Sequence, residues 1–152
     1  MTDTTSRRTP REVFALIQRA TLEKDMSALA DLYAPDAVHE WPFPPVGLAG
    51  AALRGAEQIR KTLEAAGKST VLDFREFGAV DILDTADPDV IVVEYELGGV
   101  VAATGEDFLF RYIMVLRVVD GMIVSLRDYF NPIANAAATG RLAVLAESAA
   151  AR

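Results

Sequence analysis

Along the first part of the chain apolar positions recur at helical spacing. Val13, Leu16, Ile17 and Ala20 follow the tetrad Thr9-Pro10-Arg11-Glu12. That tetrad is a capping box with proline at the first helical position, so the pattern predicts a helix from about Pro10 to Lys24 with one buried stripe. A second, short helix is expected over Ser27–Tyr33, with Leu29, Leu32 and Tyr33 inward. The period then falls to two. Ala37–Pro42 reads as a strand with His39 and Trp41 on one face and Val38 and Glu40 on the other. Prolines and glycines from Pro42 to Gly50 exclude regular structure there and predict a long loop. Helical spacing returns in Gly55–Ala66, with Ile59 and Leu63 buried and Gly67 placed as the C-terminal cap.

From Val71 onward the pattern is that of strands. Residues 71–83 and 90–101 flank a turn containing Pro88, which suits a turn and not a central strand. Phe108–Pro132 then reads as two long strands joined at Asp120-Gly121, rich in β-branched and aromatic residues. The stretch after Pro132 is Ala-rich and interrupted by Gly140. Helices first and strands after make an α+β fold, with the N-terminal helices laid on the concave face of a curved antiparallel sheet. The expected division is a polar, disordered tail over 1–8, one domain over 9–135, and an Ala-rich tail or helix over 136–152.

Alternation in the last hairpin singles out one residue. Val124, Leu126, Asp128 and Phe130 fall on one face, and Ser125, Arg127 and Tyr129 on the other. The facing strand adds Phe110, Tyr112 and Met114 to the Asp128 side, and Tyr95 and Leu97 extend that wall. A carboxylate on an apolar face needs a partner, a raised pKa or a task. One reading pairs Asp128 with a neighbouring arginine. The other leaves it desolvated, with a pKa near neutrality and able to move protons. Arg111 and Arg127 face outward by the same alternation. His39 is either a structural histidine or, if it faces in, the second member of an acid/base pair with Asp128. The candidate catalytic residues are therefore Asp128 and His39. The candidate substrate-binding residues are Trp41, Tyr95, Leu97, Phe110, Tyr112, Met114, Leu126 and Phe130.

Composition narrows the chemistry. The 152 residues are long enough to bury a core. The net charge of −7 argues against nucleic acid or an anionic membrane as partner. No cysteine and one histidine exclude thiolate and poly-histidine metal sites, and no acidic run has ligand spacing. The glycines match no phosphate-binding pattern, so no cofactor is expected. No apolar leader and no spanning segment appears, and a cytoplasmic protein is expected.

The segments YAPDAVHEWPFPP (33–45) and LRDYFNP (126–132) carry a family likeness. With the order of elements, they resemble the SnoaL-like group of the nuclear transport factor 2-like superfamily over nearly the whole chain. Asp87–Pro132 is similar to the phenazine biosynthesis A/B proteins, with DP, VE, a glycine pair, a long strand and R-(E/D)-aromatic-x-N-P in the same order. RDYF and the PxPP loop also resemble limonene epoxide hydrolases. The likeness implies a cone-shaped sheet around helices, an apolar pocket, a hydrophobic small-molecule substrate and a homodimer through the outer sheet face. Ile113, Val115 and Tyr129 on that face fit the last point. It also implies that Asp128 stands where these families keep a working acid.

Several family positions differ. Tyr95 and Leu97 stand where epoxide hydrolases carry Arg and Asp. His39 and Trp41, or Val38 and Glu40, replace their water-holding residues, and Lys61 or Thr62 lies near the phenazine histidine. Trp41, Ile17 and Met114 stand at the steroid isomerase positions. These departures speak against standard steroid isomerisation and standard epoxide opening. The combined expectation is a cofactor-independent isomerase or cyclase using Asp128 on a hydrophobic, polycyclic, natural-product-like substrate. The alternatives are water addition to an epoxide and a non-catalytic binding protein of the same fold.

Overall fold

The computed structural model describes residues 7–46, 52–68 and 71–151. Helix α1 (Pro10–Glu23) begins at the capping box. The Thr9 N–H donates to Glu12 Oε2 at 2.7 Å, and the Glu12 N–H donates to Thr9 Oγ1 at 3.3 Å. Its buried side is Val13, Phe14, Ile17 and Ala20, with Leu16 only partly covered. The helix stops at Lys24, in the left-handed conformation with φ 58°.

Helix α2 (Met26–Ala30) is shorter than the spacing predicts. Pro35 holds the preceding residue extended, so the chain turns early into strand β1 (Tyr33–Glu40). Tyr33 thus opens a strand instead of closing a helix, and β1 starts four residues before the expected Ala37. Strand β2 (Ala52–Arg54) pairs with β1 and was not expected, because three residues are too few to show alternation. The rest of the predicted loop, residues 47–51, lies outside the described residues. Helix α3 (Ala56–Lys68) runs through Gly67, which is therefore not a cap. A Cβ at Gly67 would lie 2.7 Å from Met26 Cγ, so this glycine lets α3 press against α2.

Strands β3 (Leu72–Asp84), β4 (Val90–Val101), β5 (Asp107–Val119) and β6 (Met122–Phe130) follow. The sheet order is β2-β1-β6-β5-β4-β3, and it curves without closing. All pairings are antiparallel except β1 with β6, which is parallel. Asp120 and Gly121, at φ 53° and 81°, make the β5–β6 turn. Of the expected disordered tail, residues 1–6 lie outside the described residues, and Arg7 ion-pairs with Asp120 at this turn.

The expected face of Val124 is corrected by a bulge. Arg117 pairs with Ser125 but Val118 pairs with Ile123, so Val124 is the extra residue. Ile123, fully buried, takes the inward place there. From Leu126 onward the alternation holds, with Leu126, Asp128 and Phe130 opposite Leu116, Met114 and Tyr112. The chain ends in helices α4 (Pro132–Ala138) and α5 (Leu142–Ala150). Asn131 caps α4, its Oδ1 accepting from the N–H groups of Ile133 and Ala134.

Helix α1 crosses the concave face over β3–β5, and α3 packs against α2 and β1. The core they enclose centres on Phe14, Ile59, Leu116, Ile123 and Leu126. Gly99 permits the tightest approach between strands, since a Cβ there would stand 1.9 Å from the Asp73 carbonyl oxygen. Gly99→Ala must therefore push β3 off β4. It should destabilise the chain by roughly 1–3 kcal/mol, read as a lower urea midpoint at unchanged m-value. An unchanged midpoint would mean that β3 yields freely.

Candidate functional site

Strands β4, β5 and β6 bring a set of aromatic rings to one carboxylate. Asp128 lies opposite Met114 on β5, which lies opposite Val93 on β4. One level along, Phe130, Tyr112 and Tyr95 form a row across the three strands. The Tyr95 and Tyr112 rings stack at 5.0 Å with 7° between their planes, and Phe130 lies 6.0 Å from Tyr112. The Tyr95 hydroxyl donates a long hydrogen bond of 3.4 Å to Asp128 Oδ1. Phe14 of α1 and Phe77 of β3 close over Tyr95 at 5.9 and 5.5 Å. No arginine or lysine pairs with Asp128 among the described residues. Arg111 points outward to Glu96 at 3.1 Å, as alternation predicts.

The electrostatics follow from that enclosure. Asp128 as a residue keeps some surface, but its carboxyl is enclosed by the tyrosines. Burial pushes its pKa up to about 7, and the Tyr95 hydrogen bond opposes this only in part. Tyr33, Tyr95 and Tyr112 are each raised above the usual phenol value, first by burial and then by the charge of Asp128. All three therefore stay neutral hydrogen-bond donors.

His39 faces inward, only 6% exposed. It lies beside Leu126 in register on the parallel β1–β6 pair. Its Nδ1 is 2.9 Å from the Tyr33 hydroxyl, and its ring stacks on Trp41 at 4.0 Å. Burial lowers its pKa to about 3, and Nε2 has no hydrogen-bond partner among the described residues. His39 thus joins Tyr33 and makes no hydrogen bond to Asp128. Tyr33 is the participant that the sequence reading did not single out, since a tyrosine expected at a helix end reads only as core. Leu97 and Phe110, opposite each other, sit one level beyond the tyrosine row.

Two clefts stand out among the described residues. One, of about 620 Å³, is lined by Phe43, Glu94, Glu96, Arg111, Ile113 and Tyr129, and it touches Tyr95, Tyr112 and Phe130. The other, of about 600 Å³, lies between the ends of α1, α2 and α3 and the strands β3 and β4. Neither is lined by Asp128 or His39. No cluster of three potential metal ligands occurs among the described residues, and no helix among them is long and apolar enough to cross a membrane.

Residues 12–126 match the sequence profile of the SnoaL-like domain. The chain belongs to the SnoaL-like family. An uncharacterized PhzA/B-like protein of Pseudomonas aeruginosa is 30% identical over 130 residues, covering 86% of this chain and 89% of that one. The uncharacterized protein YesE of Bacillus subtilis is 33% identical over 112 residues, 74% of each chain. A Bacillus subtilis crystal structure, its protein provisionally assigned as an isomerase, superposes with a TM-score of 0.79 at 30% identity. It covers 87% of this chain and 93% of its own. A phenazine biosynthesis-related protein of Pseudomonas aeruginosa superposes with a TM-score of 0.68 at 17% identity, covering 93% and 86%, a likeness of fold. The SnoaL-like ketosteroid isomerase-like architecture expected from the sequence is thus the observed one.

The raised pKa of Asp128 has a definite sign in stability. Below the ordinary value of 3.8 the group is protonated in both folded and unfolded chains and contributes nothing. Between there and about 7 the unfolded chain loses the proton first, so the carboxyl costs a growing amount of stability, constant above about 7. Asp128→Asn should raise stability at pH 8 by on the order of 2 kcal/mol and leave it unchanged near pH 3.5. Thermal melts across that range read the difference. A variant less stable than the parent at pH 8 would mean that the carboxylate is a satisfied structural group.

Proposed function

We propose that this SnoaL-like chain is a cofactor-independent enzyme that moves a proton on a hydrophobic, polycyclic carbonyl compound, as an isomerase or cyclase. The observation that carries this reading is a carboxyl enclosed among three tyrosines, with no cation beside it among the described residues, and burial pushes its pKa up to about 7. A group with that pKa exchanges protons readily in both directions at neutral pH. As carboxylate, Asp128 takes a proton from the carbon next to the carbonyl. The enolate oxygen then accepts hydrogen bonds from neutral donors, for which Tyr95 and Tyr112 are the nearest candidates. Asp128 returns the proton to a second carbon. Phe110, Met114, Leu97, Leu126, Phe130 and Trp41 supply apolar walls, and His39, neutral and tied to Tyr33, holds the first strand's side of the site. The provisional isomerase assignment of the 30%-identical Bacillus subtilis structure supports the same reaction class.

A second reading, a binding protein without chemistry, is favoured by the position of the clefts, neither of which Asp128 lines. Deuterium exchange into a panel of polycyclic ketones in heavy water separates the two. The enzyme reading expects exchange that rises with pH to a plateau above about 7, following the deprotonation of Asp128. Asp128→Asn should slow it by roughly 10²–10⁴-fold with ligand affinity nearly unchanged. Exchange as fast in the variant as in the parent, or none in either, removes the enzyme reading.

We also propose that two copies of the chain associate through the outer face of β4–β6. Leu109 and Ile113 are 55% and 43% exposed there, and Tyr129 lies opposite Ile113. Sedimentation should give twice the 16.4 kDa of one chain, and Ile113→Asp should halve it. A parent chain that sediments as a monomer at micromolar concentration contradicts the pairing.

A further inference from the structure

Strand β4 runs on for six residues past Tyr95, the level at which β6 ends. The second cleft opens beside that extension, walled by Met26, Leu29, Leu72, Phe74 and Val101. Its volume of about 600 Å³ falls in the range that holds a drug-sized molecule. An aromatic row leads inward from it. Phe74 meets Phe108 edge-on at 5.6 Å, Phe108 stacks on Phe110 at 4.6 Å, and Tyr112 follows Phe110 on the same face of β5.

The charged residues lining the cleft are Lys24, Asp73 and Arg75. Lys24 Nζ lies 2.5 Å from Asp73 Oδ1, and Arg75 Nε lies 3.0 Å from Oδ2. One carboxylate thus serves two cations at the rim of an apolar cleft. Two acids close by have partners of their own. Glu23 pairs with Arg19 at 3.0 Å, and Glu106 accepts from the Thr104 hydroxyl at 3.3 Å. Lys24 also holds a left-handed conformation, where glycine or asparagine is usual.

We propose that this cleft binds an aromatic or polycyclic acid, its rings between Leu29 and Phe74 and its anionic group accepting hydrogen bonds from Lys24 and Arg75. This narrows the substrate class of the proton-transfer reading, and rests on that reading only for the claim that the bound acid goes on to react. Asp73 positions both cations and releases part of each to the ligand. Charge-assisted bonds to a planar anion are stronger than neutral ones, so the acid is preferred over an uncharged molecule of the same shape.

Fluorescence titration with anilinonaphthalene sulfonate and with the uncharged N-phenylnaphthylamine tests this, since the two share their rings and differ in charge. The sulfonate should bind about tenfold more tightly than the neutral amine. The double variant Lys24→Asn with Arg75→Gln should abolish that advantage, and Asp128→Asn should leave it intact. Asparagine suits the left-handed cap, so the first substitution removes charge without breaking α1. If the double variant fails to fold, salt serves instead. Added sodium chloride should weaken the sulfonate and not the amine. Equal affinity for the two dyes, an advantage that survives the double substitution, or salt-independent sulfonate binding overturns the proposal. Exchange chemistry lost with Asp128→Asn and a dye preference lost with Lys24 and Arg75 are separate results, so either claim can fail alone.

Discussion

One enclosed carboxylate sets the character of this molecule. Asp128 stands on an inner strand among Tyr33, Tyr95 and Tyr112, with a single long hydrogen bond and no cation among the described residues. Apolar burial drives the folding of the sheet onto α1, and that same burial makes the charge of Asp128 unfavourable. The two effects are inseparable. Each ring that tightens the core around Tyr95 also removes water from the carboxyl. Phe14 and Phe77, which close over Tyr95, therefore belong to the electrostatics of the site as much as to its packing.

The hairpin register transmits this constraint. Met114 opposite Asp128 and Tyr112 opposite Phe130 follow from the Asp120-Gly121 turn and from the bulge at Val124. Without the bulge, either Ile123 or Asp128 would face the wrong side of the sheet. The bulge lets one strand bury Ile123 at its start and Asp128 near its end. It lies next to the β5–β6 turn, where the strands twist most freely.

Most of this arrangement was legible in the sequence, for physical reasons that can be named. Helix α1 announced itself through a capping box and helical spacing, and the β5–β6 hairpin through a turn pair and strict alternation. That Asp128 shares a face with Leu126 and Phe130, and Tyr112 with Met114, followed from alternation along each strand, whereas the meeting of the two sets depends on the bulge. Among the features that were not legible, three bear on the packing around the site and the second cleft. The bulge changes the count of residues without changing their type, so Ile123 and Val124 exchanged faces unseen. The early start of β1 hid Tyr33, and with it the hydrogen bond that engages His39. The role of Gly67 was misread because a glycine near a helix end resembles a cap, whereas here it makes room for Met26. Only the last concerns elements distant in sequence; the bulge and the early start of β1 shift a count or a boundary that residue type does not mark.

The SnoaL-like fold holds its apolar rings along one side of a curved sheet, and the two features of interest lie at different depths along it. The carboxylate lies beside Tyr95, over which Phe14 of α1 closes, and the Lys24–Asp73–Arg75 cluster is at the end where β4 extends furthest. About six residues of strand separate the Asp128 level from that of Gly99, a distance of roughly 20 Å. A rigid tricyclic molecule does not span it. The aromatic row of Phe74, Phe108 and Phe110 lies between the two. The measurement that bears most directly on the whole account is an NMR titration of the Asp128 side-chain carboxyl carbon. A midpoint near 7 agrees with a desolvated, unpaired carboxylate. A midpoint at or below the ordinary value of 3.8 would mean that Asp128 is well solvated or ion-paired, and it would contradict the account.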